Sequence, residues 1–198
     1  MSEDDIELTS IKLAILGDGQ VGKSSICNTF VGLEFSEETI STIGSAKFEK
    51  KLKVGENKEL KVALMDTAGQ ERFRSAAFKA IRLVKGIALV FSVDNLESFK
   101  NIEKWLENIN DNMDAPPFVL LGNKTDLEKD KWQVTQEEID KFRQEKKMTY
   151  YATSAKTNTG ITEAFTYLAN LVYNKAEEKR KNNIVIGKKK IVKKKKCC

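Results

Sequence analysis

The run IKLAILGDGQVGKS, Ile11 to Ser24, restricts the fold more than any other stretch of the chain. IKLAILG is a short apolar segment ended by glycine, as expected of a strand buried on both faces. GDGQVGKS then fits G-x-x-x-x-G-K-[ST], and Ile26, Thr29, Phe30 and Leu33 recur at a spacing that predicts a helix from Gly22 onward. Strand, glycine loop and helix in that order point successive backbone N–H groups inward, beside the positive end of the helix dipole. Such a cradle suits phosphate oxygens. Gly19, Gln20, Val21, Gly22 and Ser25 would line it, Lys23 would neutralise β and γ phosphates, and the Ser24 hydroxyl would ligate Mg2+.

The rest of the chain repeats this alternation. AKFEKKLKVGENKELKVALMD predicts two extended segments around a Gly55-Glu56-Asn57 turn. Helix is expected from Phe73 to Val84 and from Leu96 to Met113, with strands at Ile87 to Asp94, Phe118 to Asn123 and Thr149 to Ala152. Thr135 and Glu138 have the spacing of a capping box for a helix to Lys147. Ile161, Phe165, Leu168, Leu171 and Val172 form the stripe of a last amphipathic helix. The expected fold is α/β: a six-stranded, mostly parallel sheet with one antiparallel edge strand and helices on both faces. Ligands in such sheets bind beyond the carboxyl ends of the strands.

Three further motifs stand at those ends. DTAGQ, Asp66 to Gln70, places a carboxylate where it can join a magnesium shell, an N–H at Gly69 for a γ phosphate, and Gln70 to orient an attacking water. Taken alone, Asp66 reads as a cap or turn residue; the phosphate cradle gives it a metal. NKTD, Asn123 to Asp126 and including Lys124, supplies a carboxylate able to accept from the N1–H and exocyclic amine that guanine has and adenine lacks. That favours GTP over ATP. Thr153-Ser154-Ala155-Lys156 follows the last strand, where the Ala155 N–H would meet the guanine O6 and Lys156 would lie along the base.

Charge is unevenly distributed. From Lys175 to Cys198 eleven Lys or Arg face two Glu, a net +9, so the remaining residues carry −4 of the total +5. An acidic body argues against nucleic acid as a partner of the globule. The N-terminus, MSEDDIELTS, is acidic and unlike a secretory or mitochondrial leader, and Cys27 is far from the terminal pair, a poor disulfide framework. A cytosolic protein is expected. The ending KKKIVKKKKCC suits an inert solvated tail, a nucleic-acid arm or a lipidated membrane anchor equally well by composition.

Four motifs in this order resemble those of Ras-like small GTPases over Ile11 to Tyr173. STIG at Ser41 to Gly44, DTAGQERFR at Asp66 to Arg74 and the final Cys-Cys resemble the Rab branch in particular. The resemblance implies a short N-terminal extension over 1–10, a GTPase domain over 11–175 and a flexible basic tail over 176–198. It implies that Thr42 meets Mg2+ and the γ phosphate beside Ser24 and Asp66, that Phe35 packs edge-on against guanine, and that Gln70 with Lys23 serves hydrolysis. Cys197 and Cys198 then match a double prenylation site, two lipids being enough for stable anchoring where one is marginal.

Bound GTP or GDP with Mg2+, vesicle trafficking at the cytosolic face of an intracellular membrane, and a cycle with the cytosol are implied with it. So are a nucleotide exchange factor, a GTPase-activating protein, a GDP-dissociation inhibitor or escort protein and GTP-state effectors as partners. Departures fall on the partner-reading surface: GSAKF where Rabs usually have GVDF, Met65 for tryptophan, Thr39 for tyrosine, and Ala80-Ile81-Arg82-Leu83 for Tyr-Tyr-Arg-Gly. Gln20 replaces a common glycine or alanine. An alternative from another class is a membrane-anchored GTP-binding interaction module with negligible hydrolysis; another is an ATP-using P-loop enzyme.

Overall fold

The computed structural model describes residues 9–37, 45–56, 58–67, 83–114 and 116–194, with side chains to residue 181 in the final helix. Six strands alternate with helices: β1 (Ser10–Leu16), α1 (Lys23–Val31), β2 (Ser45–Val54), β3 (Lys58–Thr67), β4 (Gly86–Ser92), α2 (Leu96–Asn112), β5 (Phe118–Asn123), α3 (Gln136–Glu145), β6 (Tyr150–Ala152) and α4 (Ile161–Lys194). The strand order is β2-β3-β1-β4-β5-β6, parallel throughout except for the antiparallel edge strand β2. The expected sheet is therefore present.

Side-chain alternation along the strands divides the core into two layers. On β1, Ile11, Leu13 and Ile15 join one cluster with Ile26 and Phe30 of α1 and Phe165 and Leu168 of α4. Ala14 and Leu16 join the other, with Phe99, Ile102 and Trp105 of α2 and Ile139 of α3. Because β1 and β4 are covered on both faces, they read as nearly unbroken apolar runs. Phe30 and Phe165 meet with ring centroids 4.8 Å apart, which seats α1 against α4.

The hairpin pairs Ser45 with Thr67 through Val54 with Lys58. Gly55 turns it with φ 57°, and the Asn170 side chain accepts from the Gly55 N–H at 2.9 Å, tying the tip to α4. The capping box is present: Thr135 Oγ1 accepts from the Glu138 N–H at 3.2 Å, and Glu138 accepts from the Thr135 N–H at 2.8 Å.

Two expectations change. Leu33 does not continue α1, because Gly32 adopts φ 91° and its N–H and that of Leu33 cap the carbonyls of Thr29 and Asn28. Leu33 is left 57% exposed. The second change is at the carboxyl end, where helix runs through residues 177–187, expected as a flexible tether. α4 runs 34 residues to Lys194, about 51 Å at the usual rise per residue. No proline interrupts it, Ala176 to Lys181 are strong helix formers, and Arg180 pairs with Glu177 one turn away at 3.9 Å. Among the described residues its last member of a core cluster is Val172, with Tyr173 packed beside it. From Ala176 to Lys181 local propensity favours the helix; the Asn, β-branched and Gly residues of 182–187 do not explain its continuation. The helix expected from Phe73 to Val84 lies outside the described residues up to 82.

Candidate functional site

Four strand ends converge on one rim of the sheet. After β1 the chain enters the glycine loop with Gly17 at φ 149°, pressed so closely on β4 that a Cβ would stand 2.1 Å from the Val90 carbonyl oxygen. Gln20 has φ 62° and Gly22 φ 91°, so the loop curls on itself before α1 begins at Lys23. A Cβ at Gly22 would lie 2.4 Å from Asn123 Nδ2. Asn123, buried at the end of β5, donates from that amide to the Val21 carbonyl at 2.9 Å. Glycine is thus required at 22 by both dihedral and space.

Lys23 is buried and donates from Nζ to the Asp18 carbonyl at 2.5 Å. Burial pushes its ammonium down to about 8, against the opposing attraction of Asp66 and Asp18. A buried cation with a depressed value is one that an incoming anion would stabilise. One residue on, the Ser24 hydroxyl donates to Asp66 Oδ2 at 2.6 Å. Asp66 is itself buried near the end of β3. A hydroxyl and a carboxylate from separate elements, in contact at the first turn of α1, form a hard-oxygen set that suits Mg2+.

The β5 and β6 ends are knitted together on the other side of the rim. Asp126 accepts from the Ser154 hydroxyl at 2.6 Å, and Ser154 Oγ accepts from the Thr157 N–H at 3.1 Å. Thr125 donates its N–H and its hydroxyl to the Thr153 carbonyl at 3.1 and 2.9 Å. The Thr29 hydroxyl donates to the Ala155 carbonyl at 3.1 Å, linking this loop to α1. Lys124, at φ 65°, pairs with Asp94 at 3.2 Å. Lys156 pairs with Glu37 at 3.0 Å, two residues past Phe35, which is 37% exposed.

Gly19, Gln20, Val21, Gly22, Lys23, Ser24 and Ser25 are therefore one continuous loop and first helical turn. Asp66, Asn123 to Asp126 and Ser154 to Lys156 lie around it, through the contacts of Asp66 with Ser24, Asn123 with Val21 and Ala155 with Thr29. Thr42, Gly69, Gln70, Cys197 and Cys198 lie outside the described residues. Of the positions that depart from the Rab pattern, Met65 packs against the α2 side of the core and Leu83 is 72% exposed.

The Ras family profile matches residues 12–174, nearly the whole of the folded body. Among curated relatives, the Ras-related protein Rab-13 of Bos taurus is 38% identical over 83% of this chain and 81% of its own length. The chain is a Rab-family small GTPase. Similarity extends across kingdoms within that family: the Ras-related protein RABA1e of Arabidopsis thaliana is 36% identical over 90% of this chain and 81% of its own length. The Ypt/Rab-type GTPase ypt7 of Schizosaccharomyces pombe is 36% identical over 81% of each. Membership makes this Rab protein a guanine-nucleotide-binding GTPase with regulators and effectors, and associates it with membranes in general. Among the described residues no helix is long and apolar enough to cross a membrane.

Sequence reasoning passes over three residues that the site depends on. Asp18, inside the glycine loop, accepts from Trp105 Nε1 at 2.9 Å and Asn101 Nδ2 at 2.6 Å, both on α2. The one available signal is Trp105 itself, since a tryptophan within a buried helical stripe needs an acceptor for its N–H.

Proposed function

We propose that the protein is a GTP/GDP switch for vesicle trafficking, held at the cytosolic face of an intracellular membrane and cycling with the cytosol. The observation that carries the reading is the Ser24–Asp66 contact of 2.6 Å under a loop that tolerates no Cβ at Gly22. Phosphoryl transfer needs positioning and charge neutralisation more than covalent chemistry. In this reading the loop amides of residues 19–25 and Lys23 hold the phosphates. Ser24, Thr42 and Asp66 hold Mg2+, which when bound supplies positive charge at the β and γ phosphates. Asp126 selects guanine, with Asn123 bracing the loop, Lys124, Ala155 and Lys156 along the base, Ser154 holding Asp126 and Phe35 closing the edge. Gln70 aims the attacking water, and Gly69 and Thr42 respond to the γ phosphate, so its loss releases both segments.

Arg72 and Arg74 follow Gln70 in the second switch, and no arginine is assigned to act in cis. A GTPase-activating protein therefore supplies the missing charge, and an exchange factor resets the cycle. Prenyl groups on Cys197 and Cys198 anchor the GTP form, a GDP-dissociation inhibitor or escort protein shields them in the cytosol, and effectors read the GTP form. Single-turnover GTP hydrolysis with Mg2+ tests the chemistry: slow turnover abolished by Gln70→Leu and by chelation is expected. Indistinguishable, negligible rates for both proteins would instead favour a GTP-binding interaction module.

A further inference from the structure

Asp18 raises a question of charge. A carboxylate beside a polyphosphate site repels the ligand, so the rest of its surroundings must give it a use. Both oxygens are directed at α2, where Asn101 and Trp105 stand four residues apart on one helical face. Trp105 is buried in the α2 cluster, so its indole N–H is held in place by packing. Asn101 is oriented from both sides: its amide oxygen accepts from Lys104 Nζ at 2.7 Å, which leaves its NH2 facing Asp18. Meanwhile the Asp18 main-chain carbonyl takes the Lys23 ammonium at 2.5 Å. The loop is thus fixed by β4 at Gly17, by α2 at Asp18 and by β5 at Val21.

We propose that Asp18 is a positioning residue for nucleotide binding: Asn101 and Trp105 grip its carboxylate, which anchors the phosphate loop to α2 and sets the carbonyl that aims Lys23. The assignment rests on the guanine nucleotide reading of the site and adds α2 to the elements that control release. Any event that shifts α2 along the sheet is then felt at Lys23.

The test is the release rate of a fluorescent GDP analogue in Mg2+ from the full chain. Asp18→Asn places an amide against two donors, and Asn101→Asp places two carboxylates together. Each is expected to release GDP about tenfold faster, the scale of one charge-assisted hydrogen bond. The double variant D18N/N101D reverses the pair: the new amide on the loop donates to the new carboxylate on α2, its oxygen still accepts from Trp105, and release returns to within about threefold of the original protein. Restoration by exchange is what a merely structural loss would not give. Trp105→Phe keeps an aromatic ring and removes the N–H, so it is expected to speed release even if Asn101→Asp folds poorly. Unchanged release in the single variants, or a double variant as fast as the faster single, would overturn the assignment and leave the GTPase reading intact. Failure of the unaltered protein to retain GDP would overturn both.

Discussion

Gly22 shows how little tolerance the site has at single residues. Its φ of 91° and the 2.4 Å clearance to Asn123 Nδ2 mean that Gly22→Ala must move either the loop or its brace. Titration with GDP should show affinity reduced by at least about tenfold while the secondary structure is kept, the cost of one lost hydrogen bond plus backbone strain. Tyr150 presents the opposite case. Its buried hydroxyl has no hydrogen-bond partner among the described residues, and burial raises the phenol to about 12. The unfolded phenol ionises near 10 and the folded one near 12, so between those values the folded state binds more protons and stability falls as pH rises. Tyr150→Phe should remove that fall in chemical denaturation and be neutral, or stabilising by up to about 1 kcal/mol, at pH 7. A loss of about 2 kcal/mol or more, the upper range for a satisfied buried hydrogen bond, would mean the hydroxyl is engaged. Motif residues such as Lys23, Ser24 and Asp126 are legible in the sequence because their chemistry is local to a loop. The grip on Asp18 is not, since its donors stand 83 and 87 residues away in the chain.

Elements are legible where one physical signal dominates. β5, Phe118 to Asn123, matches its expected bounds because an apolar run begins directly after Pro116-Pro117 and is buried on both faces. α3 begins where the capping box places it, and Thr135→Ala should cost about 1 kcal/mol in urea denaturation, with Thr135→Ser retaining most of it. Leu33 departs from expectation because its spacing fits α1 although Gly32 ends the helix in a left-handed turn. Periodicity cannot register a reversal of one φ. Charge and low complexity suggest a tether in the tail, whereas residues 176–181 favour helix locally. Since among the described residues neither core cluster extends past Tyr173 on α4, deleting residues 182–198 should leave the melting temperature unchanged within about a degree. A larger drop would show that the terminal helix stabilises the body.

At the scale of the whole molecule, topology does the gathering. Parallel strands deliver four loops to one rim, so residues from Gly17 to Lys156 meet although no two of their motifs are adjacent in sequence. Body and tail carry opposite charge, −4 against +9, which under the proposed anchoring would turn the carboxyl end rather than the body toward an anionic membrane surface. Replacing Cys197 and Cys198 by serine should move the protein to the soluble fraction with GDP affinity unchanged; retention on membranes would count against the lipid anchor. The central claim, that this site exists to hold guanine nucleotides, rests on Asp126. Equilibrium titration of nucleotide-free protein with GDP, ADP and xanthosine diphosphate tests it directly. The original protein should prefer GDP over ADP by roughly 10³-fold or more, as a site built on paired hydrogen bonds does. Asp126→Asn, whose amide can accept one bond and donate the other, should lose GDP and gain xanthosine diphosphate. A preference for ADP, or GDP binding untouched by Asp126→Asn, would contradict the account.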